Sequence, residues 1–304
     1  MTKTEAKAYV VTGPTSGIGR VTALELAKHG TVVLVGRDPK KLDELKKVIE
    51  KNGRSALAIQ CDLQEIASVR KAAKEITALN LPIAGLLNNA GVLQPKPTKN
   101  SLGWDTTFTT NHLGAFALTE ELASHLPDGA SVVFIASALE DPERKPAKVM
   151  GMRGGRFLSI EASARGEWRP GGCKIPGIDA YATSKQCSLA SVFALARENS
   201  RLRFNAVEPG INPSTGLGGA NAFMRFVFGQ IITRLPPFSQ YRSTPERAAQ
   251  VITRVLTDPS TATGIYFDEK GQPMSPSQLV QDTKFQDRVV VNTRAFLSPI
   301  LGIS

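Results

Sequence analysis

The chain has 304 residues, 41% of them hydrophobic, enough to bury the core of one large domain. Its formal net charge of +10 arises from 37 Lys and Arg spread along the whole length, with no basic block and no aromatic RNA-binding signature, so nucleic acid is not an expected partner. Three scattered cysteines, Cys61, Cys173 and Cys187, lack metal spacing and fit a reducing cytoplasm, and a polar start with no later run of 18 apolar residues predicts neither signal peptide nor transmembrane segment.

Lys7 to Val11 reads as a strand ending in Thr12-Gly13-Pro14-Thr15-Ser16-Gly17-Ile18-Gly19-Arg20, and a helical pattern through Val21, Leu24 and Ala27 follows. Strand, glycine-rich turn and helix form the first unit of a dinucleotide-binding fold. Gly13 permits the sharp turn, Gly17 lets backbone approach a pyrophosphate, Gly19 allows close packing, and the free N–H groups of the helix start face phosphate. Thr15, Ser16 and Ile18 belong to the same cofactor-binding turn.

The buried-type strand Thr31 to Val35 ends in Gly36-Arg37-Asp38. An acidic residue there would hold the ribose 2′-OH of NAD, whereas Arg37 suits a 2′-phosphate and favours NADP(H). Arg20 supplies a second charge to the same phosphate. Asp38 reads as the N-cap of a helix from Pro39 to Asn52.

Ser55 to Gln60 is the third strand, with Cys61-Asp62-Leu63 at its carboxyl end, where an open α/β sheet binds ligand; Asp62 and Leu63 are placed to meet the adenine. A helix from Glu65 to Leu79 leads to the strand Ile83 to Leu87 and to Asn88-Asn89-Ala90-Gly91, which suits backbone bracing beside a cofactor. A long helical region is expected from Ser101. Within it Asn111, polar in an apolar stretch, asks for a partner, and His112 reads as packing.

The strand Ser131 to Ala136 delivers Ser137 at its carboxyl end, able to donate to a substrate carbonyl; no GxSxG nucleophile elbow occurs. Residues 138–180 form a long charged connection. Tyr181-Ala182-Thr183-Ser184-Lys185 follows, and on a helix Tyr181 and Lys185 share one face. A nearby ammonium draws the phenol toward a useful proton affinity. Arg201 to Val207 is a further strand, followed by Glu208-Pro209-Gly210-Ile211. Ala222 to Phe238 is apolar with Arg225 and Arg234 inside it, and reads as a core helix or an apolar substrate lid able to make weak peripheral membrane contact. A helix after Thr244-Pro245-Glu246 and a strand Gly264 to Phe267 complete the sheet.

Taken in order, Thr12-Gly13-x-x-x-Gly17-Ile18-Gly19, Asn88-Asn89-Ala90-Gly91, Asn111, Ser137, Tyr181-x-x-x-Lys185 and Pro209-Gly210 resemble the classical short-chain dehydrogenase/reductase family over roughly residues 7–270. Gly36-Arg37-Asp38, Arg20 and Asn111-His112-Leu113-Gly114-x-Phe116 are similar to its retinol-dehydrogenase-like and carbonyl-reductase branch. The resemblance implies one doubly wound, Rossmann-like α/β domain of about seven parallel strands, binding NADP(H) and interconverting a small-molecule carbonyl and an alcohol, with a lipophilic or aromatic substrate.

It also implies roles. Tyr181 is the general acid or base, Lys185 tunes Tyr181 and holds the nicotinamide ribose, Ser137 polarises the substrate oxygen, and Asn111 anchors a water leading to Lys185. Pro209, Gly210 and Ile211 join the cofactor contacts. A threonine after Pro-Gly contacts the cofactor in the family; Ser214 and Thr215 are both eligible here, and Thr215 is preferred. The connection after Ser137 is longer than the family's, which makes residues 138–177 an insertion expected to wall the substrate site, against a decorative or oligomer-contact loop. Residues 218–240 are the substrate lid and 272–304 a C-terminal extension that covers the active site or a partner subunit. Monomer and homo-oligomer both remain open. The rival readings are a cofactor-bound sensor without turnover, and an extended-type epimerase or dehydratase, which the GxxxGxG spacing disfavours.

Overall fold

A computed structural model describes residues 7–212, 234–236 and 238–302. Thr215 and most of the expected 218–240 lid lie outside the described residues. The first half of the chain alternates strand and helix: β1 (Ala8–Thr12), α1 (Gly17–Leu26), β2 (Thr31–Gly36), α2 (Pro39–Lys51), β3 (Ala56–Gln60), α3 (Ile66–Ala78) and β4 (Ile83–Asn88). β5 (Ser131–Ile135), β6 (Arg203–Val207) and β7 (Ile265–Phe267) complete a parallel sheet of order β3-β2-β1-β4-β5-β6-β7. Apolar runs such as Val32–Val35 are buried on both faces because helices cover both sides, which is why they do not alternate.

One face of the sheet is covered by α1, α2 and the helix Pro245–Thr257, through Leu26, Leu42, Leu45, Ile252 and Leu256. The other face takes α3, α5 (Ala115–Ala123), α8 (Pro176–Glu198) and the C-terminal helix Thr283–Leu301. The sheet order reverses between β1 and β4. Loops after strands on either side of that point part there and open the crevice in which such sheets bind ligands.

Three segments have a local structure that the sequence left open. The helix expected from Ser101 begins at Thr106, capped by Asp105, whose carboxylate accepts the Phe108 N–H at 2.8 Å. It starts with α4 (Thr106–Phe108), widens to a π-helical turn over Thr109–Gly114 and continues as α5. The 138–177 insertion packs into the domain: it contains α6 (Lys145–Val149) and α7 (Ile160–Arg165), and Phe157, Ile160 and Ala164 are buried in the main core. Its backbone is fastened to the outer side of α8, with the Arg156 N–H donating to Thr183 Oγ1 at 2.7 Å. The C-terminal extension docks its helix beside α8 and α3, burying Val289, Val290 and Leu297. Periodicity does not reveal these pairings because they join residues far apart in sequence.

Candidate active site

The glycine turn is shaped by close approach. Gly13 has φ +64°, and a Cβ at Gly19 would stand 2.3 Å from the Gly13 carbonyl oxygen and 2.4 Å from Asn89 Nδ2, so no side chain fits there. Asn89 braces this turn, its Nδ2 donating to the Thr12 and Gly13 carbonyls at 2.8 and 3.1 Å. Thr12 Oγ1 in turn accepts the N–H groups of Asn89 and Ala90, both at 3.0 Å. Asn88 points elsewhere, donating to Thr119 Oγ1 at 2.9 Å within the core. The backbone-bracing reading of the amide pair therefore fits Asn89, and Asn88 is structural.

Ser16, the residue before α1, makes no side-chain cap, so the first N–H groups of the helix remain available to an anion. Beside it lies a cavity of about 390 Å³ lined by Thr15, Ser16, Arg20, Lys41, Glu44, Leu45 and Val48. Arg37, exposed at the end of β2, stands before α2; Asp38 caps that helix by accepting the N–H groups of Lys40 and Lys41 at 3.1 and 3.2 Å, which matches its sequence reading. Lys41 was not legible as a ligand in sequence. In the first turn of α2 it lines the same cavity as Arg20.

The other expected cofactor contacts divide into two groups. Asp62 is committed to its own turn, accepting from the Gln64 main-chain N–H at 3.2 Å and from Gln64 Nε2 at 2.9 Å. Leu63 is buried in the core, and its carbonyl lies so near Gly114 that a Cβ there would stand 2.1 Å from it; only main chain at Leu63 is left to face a ligand. After β6, Gly210 has φ +73°, and the Ile211 N–H donates to the Tyr241 carbonyl at 2.8 Å. The Pro209–Ile211 segment is thus pinned at the carboxyl edge of the sheet. An uncapped helix start and a cradle that glycine alone can line fit the pyrophosphate of a dinucleotide.

The four expected catalytic side chains converge at the ends of β5 and α8. Ser137 follows β5 and caps a single 3₁₀ turn, Ala138–Glu140, where its Oγ accepts the Leu139 N–H at 3.3 Å. Its hydroxyl lies close enough to the Tyr181 phenol to favour that phenol's ionisation. Tyr181 and Lys185 lie on the buried face of α8, 6% and 4% exposed, and the Lys185 Nζ stands 5.7 Å from the Tyr181 ring centre. Lys185 donates to the Ile135 carbonyl at 2.7 Å. Burial pushes its proton affinity down to about 8, and the Glu208 carboxylate opposes that fall. Burial raises the Tyr181 phenol above its usual range, partly offset by the Ser137 hydroxyl and reinforced by Glu208.

Asn111 sits within the π turn. Its Oδ1 accepts the Val92 N–H at 2.8 Å, and its Nδ2 donates to the Val92 carbonyl at 2.9 Å and to Ser184 Oγ at 3.0 Å. The partner that its burial demanded is therefore the loop after β4. Gly91 lies between: a Cβ there would be 3.4 Å from Asn111 Oδ1 and 3.5 Å from Lys185 Nζ, which ties these two side chains to the same spot. His112 is a packing residue, buried against Phe108 and Phe116 and paired with Thr293 at 3.1 Å; burial pushes its proton affinity down to about 3. The carboxylates Glu140 and Glu208 near Ser137 were missed in sequence, since a lone glutamate at a strand end or in a loop carries no motif.

A Rossmann-type sheet that carries a phosphate-binding turn on one side of its crevice and a serine, tyrosine and lysine on the other defines an oxidoreductase working with a nicotinamide dinucleotide. The short chain dehydrogenase family profile matches residues 7–145. Human retinol dehydrogenase 13 is 30% identical over 93% of this chain and 82% of its own length. The chloroplastic short-chain dehydrogenase TIC 32 A of Brassica napus is 28% identical over 92% of this chain and 85% of its own. A solved structure from Beutenbergia cavernae, assigned as an NAD(P)-dependent gluconate 5-dehydrogenase with bound NADP at low occupancy, superposes with a TM-score of 0.64, covering 88% of this chain and 96% of that one at 25% identity. The chain belongs to the short-chain dehydrogenase/reductase family. Among the described residues no helix is long and apolar enough to cross a membrane, and no cluster of His, Cys, Asp and Glu could hold a metal ion.

Proposed function

We propose that the protein is an NADP(H)-dependent oxidoreductase that interconverts a ketone or aldehyde and an alcohol, on a lipophilic or aromatic small-molecule substrate. The observation that carries the reading is the buried Ser137–Tyr181–Lys185 set beside a crevice whose glycine turn excludes any side chain. When bound, the cofactor supplies or takes up the hydride at the substrate carbon. This chain's residues orient the substrate oxygen and manage one proton. The Ser137 and Tyr181 hydroxyls present two donors to a carbonyl oxygen, and Tyr181 gives up its proton as that oxygen becomes an alcohol.

The Lys185 ammonium, hydrogen-bonded to Ile135 and beside the phenol, stabilises the phenolate that results. Asn111 keeps the Asn89–Val92 loop in register with Lys185, and a water held near it would pass protons toward that ammonium. The cofactor preference rests on Arg37, Arg20 and Lys41, with no acidic residue at the end of β2 itself to receive a ribose hydroxyl. Bound NADP in the Beutenbergia relative and the retinol named for the human one accord with the cofactor and with a lipophilic substrate. Buried free Cys61 and Cys187 suit a reducing, cytoplasmic setting.

The test is NADPH consumption by the purified protein over a panel of aromatic and long-chain ketones and aldehydes, beside NADH. Carbonyl-dependent turnover that prefers NADPH is expected; tight NADPH binding with no turnover on any panel member would instead establish the sensor reading.

A further inference from the structure

Glu208, which directly follows β6, is a buried carboxylate to which the reductase chemistry above gives no task. It is 8% exposed. Its Oε2 accepts the Ala138 N–H and, at 3.3 Å, the Tyr266 hydroxyl. Ala138 directly follows Ser137, so this carboxylate holds the peptide unit that carries the serine. The far end of the same one-turn helix is held by Glu140: Oε1 accepts the Ser277 N–H at 2.7 Å, Oε2 the Ser277 hydroxyl at 2.5 Å, and the Glu140 carbonyl the Gly155 N–H at 2.9 Å. The turn after Ser137 is thus gripped from the sheet by one carboxylate and tied to the C-terminal extension by another.

Burial pushes the Glu208 carboxyl up to about 7, so it carries its full charge only above neutral pH. There a buried anion with two donors is an expensive clamp, because desolvation is only partly returned by its hydrogen bonds. A neutral side chain could accept the same N–H at lower cost, which points to a use for the charge. The groups that face Glu208 are Tyr181 and Lys185 from α8, Arg144 from the insertion, Glu140 from the turn, and Tyr266 and Glu269 from β7 and the loop after it.

We propose that Glu208 is a positioning residue for the reaction: through the Ala138 N–H it fixes the Ser137 hydroxyl against the Tyr181 phenol, and it places a negative charge facing the Tyr181–Lys185 pair. The inference rests on the reductase reading of that pair. The charge opposes phenolate at Tyr181 and favours ammonium at Lys185, so Tyr181 stays protonated and ready to donate to a higher pH than it otherwise would. Arg144 and Glu269 act on Glu208 in opposite directions.

The test compares E208Q, which keeps the shape and an acceptor for Ala138, with E208A, which removes both hold and charge. With NADPH and 9,10-phenanthrenequinone, E208Q is expected to move the alkaline fall of kcat about 0.5–1 unit to lower pH. E208A is expected to lose a further ~10- to 100-fold in kcat with the KM for NADPH kept, since a displaced serine costs the reaction and not cofactor binding. Hydrogen–deuterium exchange across residues 136–141 is expected to quicken in E208A and to recover in E208Q. An alkaline limb unmoved in E208Q together with wild-type kcat in E208A would overturn the proposal, as would unchanged exchange in E208A. If the wild type turns over no carbonyl at all, the reductase reading fails, and the exchange measurement alone decides whether Glu208 holds the turn.

Discussion

The glycine turn brings main chain into close contact and is braced by the Asn89 and Thr12 side chains, whereas the turn after Ser137 is fixed by buried carboxylates. In the first, Gly13 and Gly19 bring backbone to within contact of Asn89, and the strand–turn–helix order does the rest. The second is set by Glu140 on Ser277 and by Glu208 on Ala138, while Lys185 reaches back to Ile135. A backbone cradle tolerates varied neighbours but no side chain inside it. A side-chain clamp tolerates substitution of shape only when the charge and the hydrogen bonds are also kept.

The largest break in this comparison is expected from Gly19→Ala. The added methyl would lie within 2.4 Å of Asn89 Nδ2 and nearer still to the Gly13 oxygen. It is expected to destabilise the fold by about 1–3 kcal/mol and to abolish NADPH binding measured by titration calorimetry. A variant that binds like the wild type would show that the turn yields. Arg37→Asp should come next, lowering kcat/KM for NADPH by roughly 10- to 100-fold through loss of a charge-assisted contact while sparing NADH. An unchanged KM for NADPH would reduce Arg37 to a surface charge.

The smallest effect sharpens the turn after Ser137. Burial raises the proton affinity of Glu140 to about 7, so the folded state holds a proton there that the unfolded chain has released. That contribution is present below the unfolded value near 4.5 and is lost as pH rises through about 7, at a slope on the order of 1 kcal/mol per unit. Glu208 acts in the same direction, and buried His112 in the opposite one, weakening the fold as pH falls below about 6.5. Urea unfolding of Glu140→Gln against the wild type is therefore expected to favour the variant progressively between pH 5 and 7. A pH-independent difference would show that the carboxylate is not being titrated there.

How much of this was legible in sequence follows the same division. The strands, the glycine turn, the Asp38 cap and the shared helix face of Tyr181 and Lys185 were legible from local period and from strand ends. The joining of Ser137 to that pair and the seven-strand sheet came from the family resemblance. The π turn that carries Asn111 was not legible, since it leaves no mark in the hydrophobic pattern. The charged, Gly- and Pro-rich insertion gave no sign in its pattern that Phe157 and Ile160 enter the core, because those contacts join residues far apart in sequence. Lys41 and the two glutamates depended on partners that only the folded chain supplies.

The most direct measurement follows deuterium from C4-labelled NADPD into the product of whichever panel carbonyl turns over fastest, in the wild type and in Tyr181→Phe. The account predicts one deuterium on the carbinol carbon of the wild-type product and, in the variant, a rate lower by ~10²–10⁴ with NADPH affinity intact, because only the proton donor is gone. Equal rates in the two proteins would contradict it and remove Tyr181 from the chemistry.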